Sequence, residues 1–209
     1  MISIGVTGAA GFIGSHLADR LLAEGFSVVG VDDLSHGSLE NLENASADRS
    51  FSFERLDCAE ADLLARAFRR CQRVVHLAGL KIPRYGDRSA TLCQNVAGIE
   101  AVCAVALSID ADLIAASTSD VYGHAPNPLA ETSSLVLGPP TSQRWAYATS
   151  KLFAEHLVLA LVGERKLRGT ILRFFGSYGP RNHPSWWGGP QAAFIEALLD
   201  RRQLRQCAA

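Results

Sequence analysis

Three glycines, Gly8, Gly11 and Gly14, recur at every third position of VTGAAGFIGSHLADRLL, where an apolar run hands over to a helical pattern. Glycine lacks a Cβ, so it permits a tight turn and lets backbone amides approach a ligand closely. A helix that starts after such a turn presents unpaired N–H groups and the positive end of its dipole, a setting suited to a pyrophosphate. Glycines also end helices and fill turns for structural reasons, so the context has to decide. ISIGVT before them is β-branched and of strand length, and Leu17, Leu21 and Leu22 after them share one helix face. The next run, FSVVGV, ends at Asp32 and Asp33, about where an acid would reach an adenosine ribose. Strand, glycines, helix, strand and acid in that order predict a dinucleotide site.

A chain of 209 residues with 48% hydrophobic residues buries one substantial core as a single domain. Its formal net charge of -1 gives no electrostatic reason to expect nucleic acid. Arg201, Arg202 and Arg205 read as a solvated helix end. The chain starts directly on a strand, without the pattern of a signal peptide, and no apolar run approaches membrane-spanning length. A cytoplasmic protein without a membrane partner is expected. Cys58, Cys71, Cys93, Cys103 and Cys207 contain no C-x-x-C pair and read as reduced thiols, and no zinc spacing predicts a metal site.

Strand-like runs fall at about residues 2–7, 26–31, 51–56, 73–78, 111–117 and 168–174, with helical patterns between most of them. That alternation predicts an α/β fold, a doubly wound parallel sheet of Rossmann type with helices on both faces. Irregular stretches at about 120–145 and 175–190 leave the C-terminal ends of strands, the edge at which open parallel sheets bind ligands.

WAYATSK places Tyr147 four residues before Lys151, on one helix face a turn apart. A nearby ammonium favours phenolate over phenol, so the tyrosine is a candidate proton acceptor. Upstream, AASTSDVYG brings Ser117, Thr118, Ser119 and Asp120 to a strand end, where a hydroxyl can hold a substrate oxygen. A packed aromatic beside a solvated lysine is the commoner meaning of such a pair. Its position after a dinucleotide fold favours carbinol oxidation.

TGAAGFIG, VDDLS, RLDC, HLAGLK, NVAG, STSDVYG, YATSK and RFFGSYGP stand in an order that resembles the extended short-chain dehydrogenase/reductase family, particularly its NAD-dependent nucleotide-sugar epimerases and dehydratases. The resemblance implies that Gly8, Gly11, Phe12, Ile13 and Gly14 surround the pyrophosphate of NAD. It implies that Asp32 accepts from the adenosine ribose and Asp57 meets the adenine edge; Asp33, Leu34 and Cys58 belong to the same cofactor-binding set. Leu77, Ala78, Gly79 and Lys81 line the cofactor after the fourth strand, and Asn95 supports that region. Lys151 holds the nicotinamide ribose as well as tuning Tyr147, and Thr118 takes the position of the catalytic Ser/Thr. Lys81, Thr118, Ser119, Tyr147 and Phe175 form the substrate-binding set. Asp57 as a helix cap and Asn95 as partner of a buried carbonyl are the structural alternatives. His76 reads as a buried, hydrogen-bonded histidine outside the site.

A 4,6-dehydratase of this family carries an Asp-Glu pair after the threonine, where this chain has Ser119 and Asp120. STSDVYG is nearer the Thr-Ser-Glu pattern of the decarboxylases, and Asp120 is either a base or a turn residue. Epimerisation demands least of these residues. The expected function is a 4-epimerase of a nucleoside-diphosphate sugar that works through a 4-keto intermediate and retains NAD; dehydratase, decarboxylase and a chain that only binds NAD are the alternatives. Gly176 stands where the family has an Asn that helps bind the phosphosugar. The family also continues for roughly a hundred residues more, compared with usual domain sizes. Residues 1–180 are therefore expected to form the NAD-binding domain and 181–209 the start of a truncated substrate region, with most of the C-terminal substrate lobe missing. Trp186 and Trp187 read as buried against a helix rather than stacked on a sugar. The apolar faces of helices at about 88–109 and 146–163 suit a homodimer.

Overall fold

The computed structural model describes residues 1–81, 87–183 and 189–200. Trp186, Trp187, Arg201, Arg202, Arg205 and Cys207 lie outside them. Two compact units are present, Met1–Phe174 and Phe175–Ala209.

In the first unit the elements run β1 (Ser3–Thr7), α1 (Phe12–Ala23), β2 (Ser27–Asp32), a 3-10 turn (Leu39–Leu42), α2 (Glu43–Ser46), β3 (Phe51–Arg55), α3 (Ala61–Phe68) and β4 (Arg73–His76). There follow α4 (Arg88–Ser108), β5 (Asp112–Thr118), a 3-10 turn (Ser119–Tyr122), α5 (Trp145–Gly163) and β6 (Gly169–Phe174). The described part of the second unit holds one helix, α6 (Pro190–Leu199). The six strands form a parallel sheet in the order β3-β2-β1-β4-β5-β6. This is the doubly wound order expected from the alternating pattern, with its reversal between β1 and β4.

Side chains on successive strand residues point to opposite faces, and the two cores follow that alternation. Ile4, Val6, Val28 and Val75 face α1 and α2, joined by Ala18, Leu21 and Ala45. Val31, Val74, Leu113 and Ala115 face the other way, against Leu64 and Phe68 of α3, Ile99 and Val102 of α4, and Ala154 and Val158 of α5. Both faces of the sheet are thus covered, which explains why its strands read as continuous apolar runs rather than alternating ones.

Helix α4 corrects one expectation. Its 21 residues are long and apolar enough to cross a membrane by length and composition, with a mean hydropathy of 1.5. Half of that stretch is buried, because α4 packs on α3, α5 and the sheet. A helix enclosed on several sides in this way is apolar nearly all round.

Candidate active site

At the sheet's reversal point, β1 and β4 run side by side with Thr7 opposite His76, so the loops that leave them share one edge. Gly8 adopts φ +72, and a methyl there would lie 2.7 Å from the Ala78 nitrogen. A methyl on Gly14 would lie 2.0 Å from the Gly8 carbonyl oxygen, so no larger residue lets the loop close onto α1. Gly11 caps α1 without any side-chain hydrogen bond, leaving the helix's positive end to other partners. The fit of this cradle to a dinucleotide phosphate rests on those two closures.

The Asp32 carboxylate, 8% exposed, accepts from Ala10 N at 3.0 Å and from Leu34 N at 2.8 Å. It therefore sews the glycine loop to the end of β2, and it holds Leu34 at φ 63, a strained region for a side chain of that size. Burial raises its pKa, while the two amide bonds pull the other way. The Asp33 carboxylate closes its own turn by accepting from Ser35 N and Ser35 Oγ. The Asp57 carboxylate does the same, accepting from Ala59 N at 2.9 Å. The helix-cap role weighed for Asp57 from sequence is not this bond, because Glu60 is the N-cap of α3.

Beyond β4, Asn95 is buried on α4 and grips the Leu80 backbone through both ends of its carboxamide. Its Nδ2 also donates to Ser150 Oγ at 2.9 Å, and Ser150 Oγ donates in turn to the Tyr147 carbonyl at 2.8 Å. His76 is 3% exposed, with Nδ1 2.8 Å from Thr7 Oγ1. Burial lowers its pKa to about 3, and the nearby Lys151 charge adds to the shift. The ring is neutral at pH 7 and belongs to the core, as its sequence setting suggests.

Thr118 ends β5, 8% exposed, and its Oγ1 accepts from Asp120 N at 3.2 Å. Tyr147 is half-buried in the first turn of α5. Asp120 is half-exposed and lies 3.8 Å from Arg144. Lys151, only 5% exposed, turns toward the β4 loop, where a methyl on Gly79 would lie 3.2 Å from Nζ. The Tyr147 pKa is raised, first by burial and then by the Asp120 carboxylate, with the Thr118 hydroxyl opposing. The Lys151 ammonium acts on His76 and Cys58. Burial brings the Lys151 pKa down to about 8, with Cys58 opposing. The Cys58 thiol itself is pushed up to about 12, mainly by burial.

Phe12 and Ile13 open α1 beside the glycines, Leu77 and Ala78 are half-buried after β4, and Lys81 closes the described part of that loop. Ser119 stands half-buried at the start of the 3-10 turn. Phe175, 59% exposed, opens the second unit. Within that unit, a methyl on Gly176 would lie 2.6 Å from Gln191 Nε2, so a glutamine carboxamide fills the space beside the departing residue.

Sequence reasoning missed Glu155. It is 4% exposed on α5 and accepts from Ser117 Oγ and, in two-pronged fashion, from Arg173. The signal was present, since 147, 151 and 155 are spaced by four and share one helix face.

Comparison with known proteins places this geometry. The model of the NAD dependent epimerase/dehydratase family matches residues 4–207. The UDP-glucose 4-epimerase of Mycolicibacterium smegmatis is 36% identical over 206 residues, covering 94% of this chain and 63% of that protein. A UDP-N-acetyl-alpha-D-glucosaminuronate decarboxylase of Bacillus cytotoxicus is 33% identical over 198 residues, covering 93% of this chain and 60% of that protein. Among solved structures, the UDP-glucose 4-epimerase of Thermus thermophilus in complex with NAD superimposes with a TM-score of 0.85 at 29% identity. That match covers 97% of this chain and 64% of the other. The chain thus spans less than two thirds of the length of these relatives.

Proposed function

The chain belongs to the NAD dependent epimerase/dehydratase family, and from that premise we propose that it is a 4-epimerase of a nucleoside-diphosphate sugar that retains NAD between turnovers. The observation that supports the reading is the placement of Thr118 at the end of β5, on the sheet edge that also holds the glycine cradle, with Tyr147 and Lys151 a turn apart on α5. The amides after Gly8, Gly11 and Gly14 would hold the pyrophosphate, Asp32 the adenosine ribose, and Lys151 the nicotinamide ribose. Asp57, Leu77, Ala78 and Gly79 belong to the same proposed cofactor contacts. When bound, the nicotinamide supplies a hydride acceptor that can return what it takes.

The protein's own groups handle the proton. Thr118 Oγ1 orients the sugar hydroxyl toward Tyr147 Oη, and Tyr147 removes its proton and later gives it back. The acceptor is the phenolate, so Tyr147 first gives up its own proton: burial and Asp120 favour the neutral phenol, and the Lys151 ammonium one turn away on α5 would favour the ionised form. The neutral His76 adds no competing charge beside Lys151. Lys81 and Ser119 complete the proposed substrate contacts of this unit.

Decarboxylation is the second reading. It is favoured by Asp120 acting directly on Tyr147, where an acid suits a base role, and by the decarboxylase among the relatives. Incubation of the chain with NAD and a panel of UDP-, dTDP- and GDP-sugars separates the readings. Inversion at C4 supports epimerisation, loss of carbon dioxide transfers the assignment to decarboxylase, and loss of water to dehydratase. NAD retention without turnover would leave cofactor binding as the function of this chain.

Pairing of two copies through α4 and α5 belongs to the same proposal. Phe153 and Leu159 of α5 remain 39% and 55% exposed, on a helix whose other sides are packed. Sedimentation of the parent and of Leu159→Glu reads the assembly directly.

A further inference from the structure

One carboxylate joins the elements that carry the two reacting hydroxyls. Glu155 lies one turn beyond Lys151 and two beyond Tyr147 on the same face of α5. Its Oε1 accepts from Ser117 Oγ at 2.5 Å and from Arg173 Nε at 2.9 Å, and its Oε2 accepts from Arg173 Nη2 at 2.7 Å. Ser117 directly precedes Thr118 in β5, and Arg173 lies next to it in β6, paired with it in register. The Arg173 guanidinium continues outward, 4.7 Å above the Tyr122 ring and with Nη1 3.3 Å from the Glu131 carbonyl oxygen. Glu155 thereby connects α5, the ends of β5 and β6, and the 3-10 turn that holds Asp120.

An ion pair this deep adds little stability over an apolar pair of the same size, because both charges are stripped of water. What it does impose is direction, since a guanidinium fork meets a carboxylate in one plane and at two points. An apolar contact in this place would let α5 slide along the sheet. Sliding by a fraction of a turn shifts Tyr147 relative to Thr118, which is anchored one residue from the carboxylate's own partner.

We propose that Glu155 is a positioning residue, its carboxylate locking α5 to the ends of β5 and β6 and so fixing the register of Tyr147 on α5 against Thr118 on β5. The assignment rests on the proposed proton-transfer pair, and its test does not depend on turnover. Tyrosine labelled with carbon-13 at Cζ reports the Tyr147 phenol by NMR, and amide exchange of Asp120 reports the bond it donates to Thr118 Oγ1. In Glu155→Gln the Tyr147 resonance shifts and Asp120 exchange quickens about tenfold, with the exchange of β1 and β4 amides unchanged. Where the parent turns over a sugar, kcat falls about tenfold or more, with KM and NAD affinity within about twofold of the parent. Ser117→Ala, which severs only the tie to β5, shifts the same two signals in the same direction and decides the matter should Glu155→Gln fail to fold. Parent-like Tyr147 resonance and Asp120 exchange in the folded variants overturn the assignment. Absence of sugar turnover by the parent removes the proposed reaction and leaves the two spectroscopic signals to judge Glu155.

Discussion

Asn95 Oδ1 accepts from Leu80 N at 2.8 Å while its Nδ2 donates to Leu80 O at 2.9 Å, so one buried side chain satisfies both polar groups of a residue in the loop that leads into its own helix. The loop after β4 has no ladder of its own at this point, and the carboxamide takes the place of one.

Asn95→Leu removes both bonds and the tie to Ser150 at similar volume. The expected cost is about 1–3 kcal/mol of stability, the penalty of leaving buried polar groups unpaired. NAD affinity falls with it, because the Leu77–Gly79 backbone loses its support. Thermal unfolding and calorimetric NAD titration on the same samples check the pair of effects; an unchanged melting curve with unchanged affinity removes this role from Asn95.

Gly14→Ala puts a methyl 2.0 Å from the Gly8 carbonyl oxygen, against backbone that has nowhere to move. The loop must open, at a cost of ~3 kcal/mol or more. Heat of NAD binding disappears even at temperatures where circular dichroism shows a folded chain. Retained binding in the variant would mean that the phosphate does not sit on this turn.

Lys151 gives a dependence on pH whose sign follows from its pKa, about 8 in the fold against an ordinary 10.5. The fold disfavours the charged amine, so this group's stabilising contribution is complete above 10.5 and is lost as pH falls through about 8. NAD binding runs the opposite way if the ammonium holds the nicotinamide ribose. Affinity then declines above about pH 8, by up to about tenfold per pH unit, and Lys151→Met is weaker at neutral pH but flat across the range. Calorimetric titrations from about pH 7 to about pH 10 compare the two chains. A parent profile as flat as that of Lys151→Met removes the charge from cofactor binding.

Tyr147→Phe keeps the ring and loses the proton acceptor. Turnover of any accepted sugar falls about 100- to 10,000-fold, the range general acid–base groups contribute, while NAD binding stays near the parent value. Single-turnover rates with the sugar that the parent converts provide the measurement, and parent-like rates place the base elsewhere.

Much of this architecture is written locally. A parallel sheet buried on both faces needs strands such as SIGVT and SVVGVD whose central positions are all apolar or glycine, and a turn as tight as that at Gly8 and Gly14 admits few residues besides glycine. The spacing of Tyr147 and Lys151 also follows from helical repeat alone. Each of these is a property of neighbouring residues, so it appears in the linear order.

What the linear order left open depends on which distant groups pack together and how much water they exclude. Spacing puts Lys151 on the face of Tyr147, but that its amine is buried beside the Gly79 loop is decided by packing. Asp57 accepts from Ala59 N in its own turn, a local bond that its position in the sequence did not single out. The union of Ser117, Glu155 and Arg173 spans separations of 38 and 18 residues. Burial of that carboxylate is tolerated only because the sheet register brings Ser117 and Arg173 to the same height, where together they replace the water it gives up.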